Sequence, residues 1–365
     1  MNDERYARAA LTYLAEPEDV ALARLVADVG AARAVEMIKT GGDSRWQARI
    51  NDLPGPAEMK AFASAGIRLV CPGDPEWPSR LEDLGDKTPY ALWLRGNGDL
   101  RLSCLRSVAI VGARAATAYG SYMATELASA LAASGWAIVS GGAYGVDAAA
   151  HRGALASGGV TIAVMACGVD HPYPAGHVEL MNAITKTGVV MSEWPPGCNA
   201  TRLRFLSRNR VIAALAAGTV VVEAGRRSGA LNTAKHAGDL ERPLMAVPGP
   251  VTSQLSAGCH MMIRNWGAAL VTTTAEVTET LGLDTADWPQ QPVLPWDELD
   301  PGLKKVLDAL PARGGISTAE VAVAAGVDPR TAVTSLGALA AGGFAERCPG
   351  GWRVRRSHTT GDGVN

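Results

Sequence analysis

The sequence predicts an α/β fold with a mostly parallel β-sheet, placed between a helical N-terminal region and a small C-terminal domain. The main observation is a series of seven short apolar runs between residues 66 and 285, separated by amphipathic helical stretches. The runs are aliphatic on both faces, as expected for parallel strands that helices cover on both sides. They are SVAIVG (107–112), WAIVSG (136–141), TIAVMA (161–166), GVVMSE (188–193), GTVVVEA (218–224), PLMAVPG (243–249) and AALVTT (268–273).

Residues 1–65 are predicted to form a helical domain of the SAM-like or helix-hairpin-helix type. The stretch VALARLVADVGAARAVEMIKTG has apolar residues at helical spacing, is broken at Gly30 and stops at Gly41-Gly42. Some bundles of this type bind the DNA backbone, but the turn here has no basic cluster, which favours a packing role. Residues 71–96 are irregular and rich in proline, and they predict a lead-in to the sheet with one edge strand.

Residues 297–356 are predicted to form a winged-helix domain, joined by a linker at 286–296 and followed by a disordered tail at 357–365. Ser317 and Glu320 have the spacing of a capping box, and Asp328 with Pro329 marks a second helix start. FAERCPGGWRV then indicates two short strands around a Pro-Gly-Gly turn. The predicted recognition helix has Arg330 as its one basic residue, which favours weak DNA contact or protein contact.

Composition and charge restrict the function classes. With 47% hydrophobic and 19% charged residues the chain is globular, and its net charge of −2 gives no overall attraction to polyanions. Nucleic-acid binding must therefore come from a local patch. The six cysteines include no C-x-x-C pair, so we expect neither a zinc site nor a disulfide framework. No signal peptide and no membrane-length apolar stretch is visible, and we expect a cytoplasmic protein without a cofactor.

Two glycine turns follow strand-like runs, and such turns bind anions through converging backbone N–H groups at a helix N-terminus. The first holds Gly112 and Arg114, and the second is SGGAYG at 140–145. Neither fits a G-x-G-x-x-G dinucleotide fingerprint, and the chain has no G-x-x-x-x-G-K-[ST] loop. NAD binding and ordinary nucleotide hydrolysis are therefore disfavoured, while anion binding at one edge of the sheet is favoured.

Residues 202–227 are strongly basic, with six arginines and one acid, Glu223, for a local net charge of +5. Phe205 lies among the arginines, and a ring between guanidinium groups suits a single nucleic-acid strand. The residues alone equally allow Arg208 and Arg210 to pair with carboxylates and Phe205 to pack in the core.

A third turn follows the strand-like run that ends in Glu223. There the hydroxyls of Ser228 and Thr233 could donate to a phosphate, although Ser228 could equally be a helix cap.

Three motifs occur together in chain order: S-G-x-A-x-G-x-D-x-x-A-H from 140, F-x-x-R-N-R-x-I-A from 205 and V-V-E-A-x-x-x-S-G-x-L-x-T-A from 221. With them, residues of about 66–275 resemble the DNA-processing protein A (DprA/Smf) family. The resemblance implies an extended Rossmann-like domain that binds single-stranded DNA and has no catalytic activity. It further implies a homodimer that protects incoming DNA in natural transformation and helps load the RecA recombinase.

The resemblance also implies site residues. Gly112 and Arg114 match the family pattern V-G-[ST]-R, in which the arginine faces a DNA phosphate, and Ala113 replaces the usual hydroxyl residue. The remaining DNA-facing positions fall on Ser140, Gly141, Gly142, Gly145, Phe205, Arg208, Asn209, Arg210, Ser228, Gly229 and Thr233. Gly141-Gly142 stands where Gly-Leu is commoner.

Two other hypotheses remain at the level of sequence. In the first, the protein is a nucleotide-binding or nucleotide-hydrolysing Rossmann-like enzyme that uses Asp147 or Glu223 as a base. His151 lies four residues after Asp147, on the same face of the predicted helix. The chain offers no second histidine for a metal and no G-x-S-x-G elbow, so we expect Asp147, His151 and Glu223 to support the site structurally. In the second, a scaffold acts mainly through its terminal domains.

Overall fold

The computed structural model describes residues 3–41, 43–282 and 299–355, which divide between two compact units, Met1–Ala286 and Asp287–Asn365. The predicted linker at 286–296 and the predicted tail at 357–365 lie outside the described residues. None of the helices in the described ranges combines the length and apolarity needed to cross a bilayer.

The first unit begins with short helices, as the periodicity predicts. They are α1 (Asp3–Leu14), α2 (Val20–Val29), α3 (Ala31–Gly41), α4 (Ser44–Gln47) and α5 (Pro56–Ser64), with a 3-10 turn at Ile50–Asp52. Gly30 separates α2 from α3, with a φ of 81°. The helices pack with the sheet in the same unit, where the indole Nε1 of Trp93 donates to Thr12 Oγ1 at 3.1 Å. The domain boundary at residue 65 stays a prediction.

A nine-stranded sheet forms the centre of the first unit. Its strands are β1 (Ile67–Val70), β2 (Leu92–Arg95), β3 (Ser107–Val111), β4 (Ala137–Ser140), β5 (Thr161–Val164), β6 (Val189–Ser192), β7 (Thr219–Val221), β8 (Leu244–Ala246) and β9 (Ala269–Leu270). The order is β1-β2-β6-β5-β4-β3-β7-β8-β9, and the seven strands from β6 to β9 are parallel. All seven predicted runs form these parallel strands, which confirms the mostly parallel α/β fold.

The lead-in segment differs from its prediction. Its strand, β2, pairs antiparallel with both β1 and β6 and so lies inside the sheet, while β1 is the edge strand. The sequence of residues 71–96 suggested an edge because proline and glycine surround the strand. Pairing on both sides, however, depends on partners that lie far away in the sequence.

Helices cover both faces of the sheet. They are α6 (Leu100–Leu105), α7 (Ala118–Ala133), α8 (Val146–Ala156), α9 (Val178–Thr187), α10 (Arg202–Leu215), α11 (Ala230–Asp239), α12 (Ala257–Asn265) and α13 (Thr274–Thr280), with 3-10 turns at Ser79–Lys87 and Ala175–His177. Along β3, Ala109 and Val111 pack in one core cluster with α10, and Val108 and Ile110 pack in another with α7 and α8. This alternation explains why the strand is apolar throughout.

The connections reverse direction at β3. From β3 the chain adds β4, β5 and β6 on one side, and then returns to add β7 on the other side of β3. The loops that leave β3 and β7 therefore diverge at the carboxyl ends of these strands. Such a switch point opens a crevice, and ligands of open α/β sheets bind there.

The second unit consists of three helices and a hairpin: α14 (Pro301–Asp308), α15 (Thr318–Ala325), α16 (Pro329–Ala341), β10 (Ala345–Cys348) and β11 (Gly351–Val354). The predicted capping box is confirmed, since Ser317 and Glu320 cap α15 reciprocally. Asp328 caps α16 by accepting from the N–H groups of Arg330 and Thr331. The winged-helix assignment itself stays a prediction.

Candidate nucleic-acid interface

A cleft of about 870 Å³ lies at the carboxyl ends of β3 and β7, between the loops after these strands and helices α10 and α11. Its charged lining residues are Arg114, Arg202, Arg208, Arg227 and Asp147. Four guanidinium groups therefore face one carboxylate within the described part of the chain, and that carboxylate is buried. The electrostatic character of the cleft suits an anionic ligand.

The turn after β3 brings Arg114 to the cleft. A Cβ at Gly112 would lie 2.6 Å from Val146 Cγ2, so the close approach of α8 to the turn requires glycine. Arg114 is exposed, and its guanidinium carbon lies 4.7 Å from the ring centroid of Phe205. This cation–π contact holds the guanidinium group at the mouth of the cleft.

In the turn between β4 and α8, a carboxylate of the chain itself binds two of the backbone N–H groups. The carboxylate of Asp147 accepts from the N–H groups of Gly141 at 3.1 Å and Ala143 at 3.4 Å. Ser140 is buried, and its hydroxyl donates to the carbonyl of Ile110 at 2.6 Å. The N–H groups of Gly141 and Ala143 are therefore engaged within the protein, and phosphate binding by this turn stays a prediction.

The other glycines of this turn serve packing. Gly145 has a φ of 77°, and a Cβ there would overlap the carbonyl of Ala113. The carbonyl of Gly142 accepts from the buried His177 at 3.0 Å. Neither glycine lines the cleft, and the same holds for Ser140 and Gly141.

Arg208 lies under the β4 turn, with an exposed fraction of 4%. Its Nη1 donates to the carbonyl of Gly141 at 2.6 Å and to that of Val164. Burial lowers the pKa of Arg208 to about 10, although the carboxylate of Asp147 opposes this effect. Burial likewise raises the pKa of Asp147, against the effect of Arg208 and of the turn's N–H groups. Arg208 therefore stays protonated at neutral pH and adds positive charge at the floor of the cleft.

Arg210 is not in the cleft. Its guanidinium forms two contacts with the carboxylate of Glu193, at 2.5 and 2.6 Å, and donates to the carbonyl of Lys87 at 2.8 Å. Both members of the pair are buried. The assignment of Arg210 to a DNA-facing surface is therefore wrong, and the alternative of a carboxylate pair applies to it.

Phe205 is half-buried and lines the cleft together with Tyr173, whose ring centroid lies 5.6 Å from its own. Asn209 also lines the cleft, and its Nδ2 donates to Asn232 Oδ1 at 3.1 Å. Tyr173 was missed by the sequence reasoning. Its signal is a Tyr-Pro pair in HPYP (171–174), but proximity to Phe205 depends on how the loop after β5 packs on α10.

The third turn opens α11 to the cleft, where Ser228, Gly229 and Thr233 all belong to the lining. The hydroxyl of Ser228 accepts from the N–H of Ala230 at 3.3 Å, which is a capping contact. Thr233 is nearly fully buried at the cleft wall.

The three supporting side chains have separate partners. Glu223 accepts from the N–H and the hydroxyl of Thr117 at 2.9 and 2.7 Å, at the start of α7. His151 Nδ1 donates to the hydroxyl of Thr161 at 2.7 Å, because that hydroxyl itself donates to a strand carbonyl. Burial lowers the pKa of His151 to about 3, so the imidazole is neutral. Asp147 and His151 do not bond each other, which gives no acid–base pair for the enzyme hypothesis.

The family described as DNA recombination-mediator protein A matches residues 68–282. A Mycobacterium tuberculosis protein named as a DNA processing protein, DprA, is 42% identical and covers 95% of this chain and 93% of its own. The Streptococcus pneumoniae DNA processing protein DprA is 38% identical over 63% of this chain and 78% of its own. The X-ray structure of DprA from Streptococcus pneumoniae superposes on this chain with a TM-score of 0.63 at 29% identity. The match covers 76% of this chain and 98% of that one. A Helicobacter pylori DprA structure, described for its single-stranded-DNA binding mode, gives a TM-score of 0.53 at 29% identity, over 59% and 95%.

Proposed function

Because the chain belongs to the DNA recombination-mediator protein A family, we propose that its arginine-lined cleft binds single-stranded DNA and that the protein is a non-enzymatic recombination mediator. The observation that carries this proposal is the charge of the cleft. Arg114, Arg202 and Arg227 are exposed there, and none of them forms an ion pair with a carboxylate of the described residues. Exposed guanidinium groups bind backbone phosphates without reading sequence.

A single strand suits this cleft better than a duplex. A half-buried phenylalanine and an exposed tyrosine line the cleft, and aromatic rings can stack on bases that are unpaired. The Helicobacter pylori relative, whose structure was described for single-stranded-DNA binding, supports the same ligand class.

The finer parts of the proposal rest on family resemblance. They are protection of incoming DNA in natural transformation, loading of the RecA recombinase, and homodimerisation through an extended Rossmann-like domain in the cytoplasm. We also propose that residues 1–65 form a SAM-like domain and that residues 297–356 form a winged-helix domain. The succession of three helices and a hairpin in the second unit supports the latter assignment.

The experiment is a binding titration with fluorescently labelled single-stranded DNA. Arg114→Ala with Arg227→Ala is expected to weaken binding at least about tenfold, since two phosphate contacts are lost. Arg101→Ala is the matched control, because Arg101 is exposed on α6 at the start of β3, the other end of the strand. Equal affinity of the double variant and the wild type would contradict the proposal.

The nucleotide-enzyme hypothesis has a separate test. The protein is incubated with a panel of nucleotides, and products are followed by chromatography alongside Glu223→Gln. We expect no turnover, because Asp147 and Glu223 are both engaged by N–H groups of the chain. Turnover that the Glu223 substitution abolishes would favour the enzyme.

A further inference from the structure

Phe205 is surrounded within the cleft. The guanidinium carbon of Arg114 lies 4.7 Å from its ring centroid, and that of Arg208 lies 5.9 Å away. The ring of Tyr173 approaches it at 5.6 Å with an interplanar angle of 54°. A base that stacked on Phe205 would have to displace one of these neighbours. The residue that sequence reasoning chose as the stacking ring is therefore poorly placed for that role.

Tyr173 has the opposite surroundings. It is 50% exposed, lines the same cleft, and its ring makes a tilted contact with Phe205. A half-exposed ring that a neighbouring ring holds in place can accept a stacked planar group at a small entropic cost. Arg114 and Arg202 line the cleft beside it and can hold the flanking phosphates.

We propose that Tyr173 is the base-stacking residue of the cleft, and that an unpaired nucleobase of the bound strand lies on its exposed ring. The proposal rests on the proposed function, and it adds a contact to the base where the arginines contact the backbone. Because every base has a π-face, this contact favours single strands over duplexes without sequence preference.

The chain offers a matched control in Tyr144. It is 51% exposed, and its ring packs edge-on against His177 at 4.5 Å, but it does not line the cleft. Replacement of either tyrosine by alanine removes a similar exposed ring, so a difference between the two variants reports on the cleft and not on exposed aromatic area.

The test measures the affinity of wild type, Tyr173→Ala, Tyr173→Phe and Tyr144→Ala for two oligonucleotides of about 15 residues, one of deoxythymidine and one abasic throughout. Stacking contributes at least about a fivefold change in affinity per base. Tyr173→Ala should weaken binding by at least that factor on the deoxythymidine strand and by less than about twofold on the abasic strand. Tyr173→Phe should keep wild-type affinity, because the aromatic ring remains. Tyr144→Ala should also bind with wild-type affinity.

Three outcomes would overturn the inference: no loss in Tyr173→Ala, an equal loss on both strands, or an equal loss in Tyr144→Ala. If any of these occurs while the wild-type protein still binds the deoxythymidine strand, the proposed function stands and only the role of Tyr173 is rejected. Wild-type protein that binds neither strand contradicts the proposed function together with the inference.

Discussion

Replacing Arg210 by methionine should separate a structural arginine from a DNA-binding one. The side chains of Arg210 and Glu193 are 1% and 6% exposed, and their two contacts measure 2.5 and 2.6 Å. Removing one member of a buried pair leaves the other charged without a partner, at a cost of about 3–5 kcal/mol. Arg210 also donates to the carbonyl of Lys87, which would lose this donor in the variant. We therefore expect Arg210→Met to lower the free energy of unfolding by about 3–5 kcal/mol.

Urea unfolding followed by tryptophan fluorescence measures this effect. Arg210→Met combined with Glu193→Leu is the control, because it removes both charges and should recover most of the lost stability. Single-stranded-DNA binding by the folded fraction of Arg210→Met should match the wild type. The reasoning is refuted if Arg210→Met keeps wild-type stability and loses DNA affinity, since the guanidinium would then serve the ligand.

Three further predictions concern the β4 turn and its neighbours. Gly145→Ala should destabilise the protein by about 3 kcal/mol or more, because the added Cβ would meet the Ala113 carbonyl. Gly158→Ala is the control, since Gly158 has a similar φ of 71° but no atom near the added Cβ, and it should cost about 1 kcal/mol. Thermal unfolding measures both variants. Because the pKa of His151 lies at about 3 in the folded protein and at 6.5 ordinarily, the unfolded chain binds a proton that the folded chain does not. Stability should therefore decrease as pH falls below 6.5, by roughly 2 kcal/mol at pH 5, and His151→Gln should flatten this dependence in urea titrations at several pH values. Asp147→Ala should leave the N–H groups of the turn and Arg208 without their anion, and formate should raise its melting temperature while leaving that of the wild type unchanged.

The sheet was largely predictable, and the reason is local. Strands buried on both faces must be apolar throughout, so the runs that became β3 to β9 are visible in the sequence itself. β1 and the interior place of β2 were not visible, because register pairs such as Arg95 with Val190 join segments about a hundred positions apart.

Part of the site was predictable for a similar reason. Gly112 and Arg114 follow a buried strand directly, and the structure brings Arg114 to the cleft together with Phe205, Arg208 and Ser228. The switch point between β3 and β7 could not be predicted, because it depends on the order of the strands in the sheet. The turns that border it could be predicted, because each directly follows an apolar run of the sequence.

Two findings at the site have physical explanations that the sequence already contained. Residues two apart on a helix point about 200° apart, so Arg208 and Arg210 could not both face one cleft. Asp147 follows the β4 turn closely enough for its carboxylate to reach back to the N–H groups of Gly141 and Ala143. The Tyr-Pro pair at Tyr173 could not by itself place this residue in the cleft, because its position depends on a contact between a loop and α10.

The most direct test of the central claim is the salt dependence of single-stranded-DNA affinity. That claim is that exposed arginines of the cleft, Arg114, Arg202 and Arg227, hold the phosphates of an unpaired strand. Each phosphate contact with a single strand contributes about 0.7 to the slope of log K against log salt, so the wild type should give a slope of at least about 2 in magnitude. Arg114→Ala should lower it by about 0.7, and a duplex of the same length should bind more weakly throughout. A slope near zero, a slope that Arg114→Ala leaves unchanged, or equal affinity for the duplex would contradict the account.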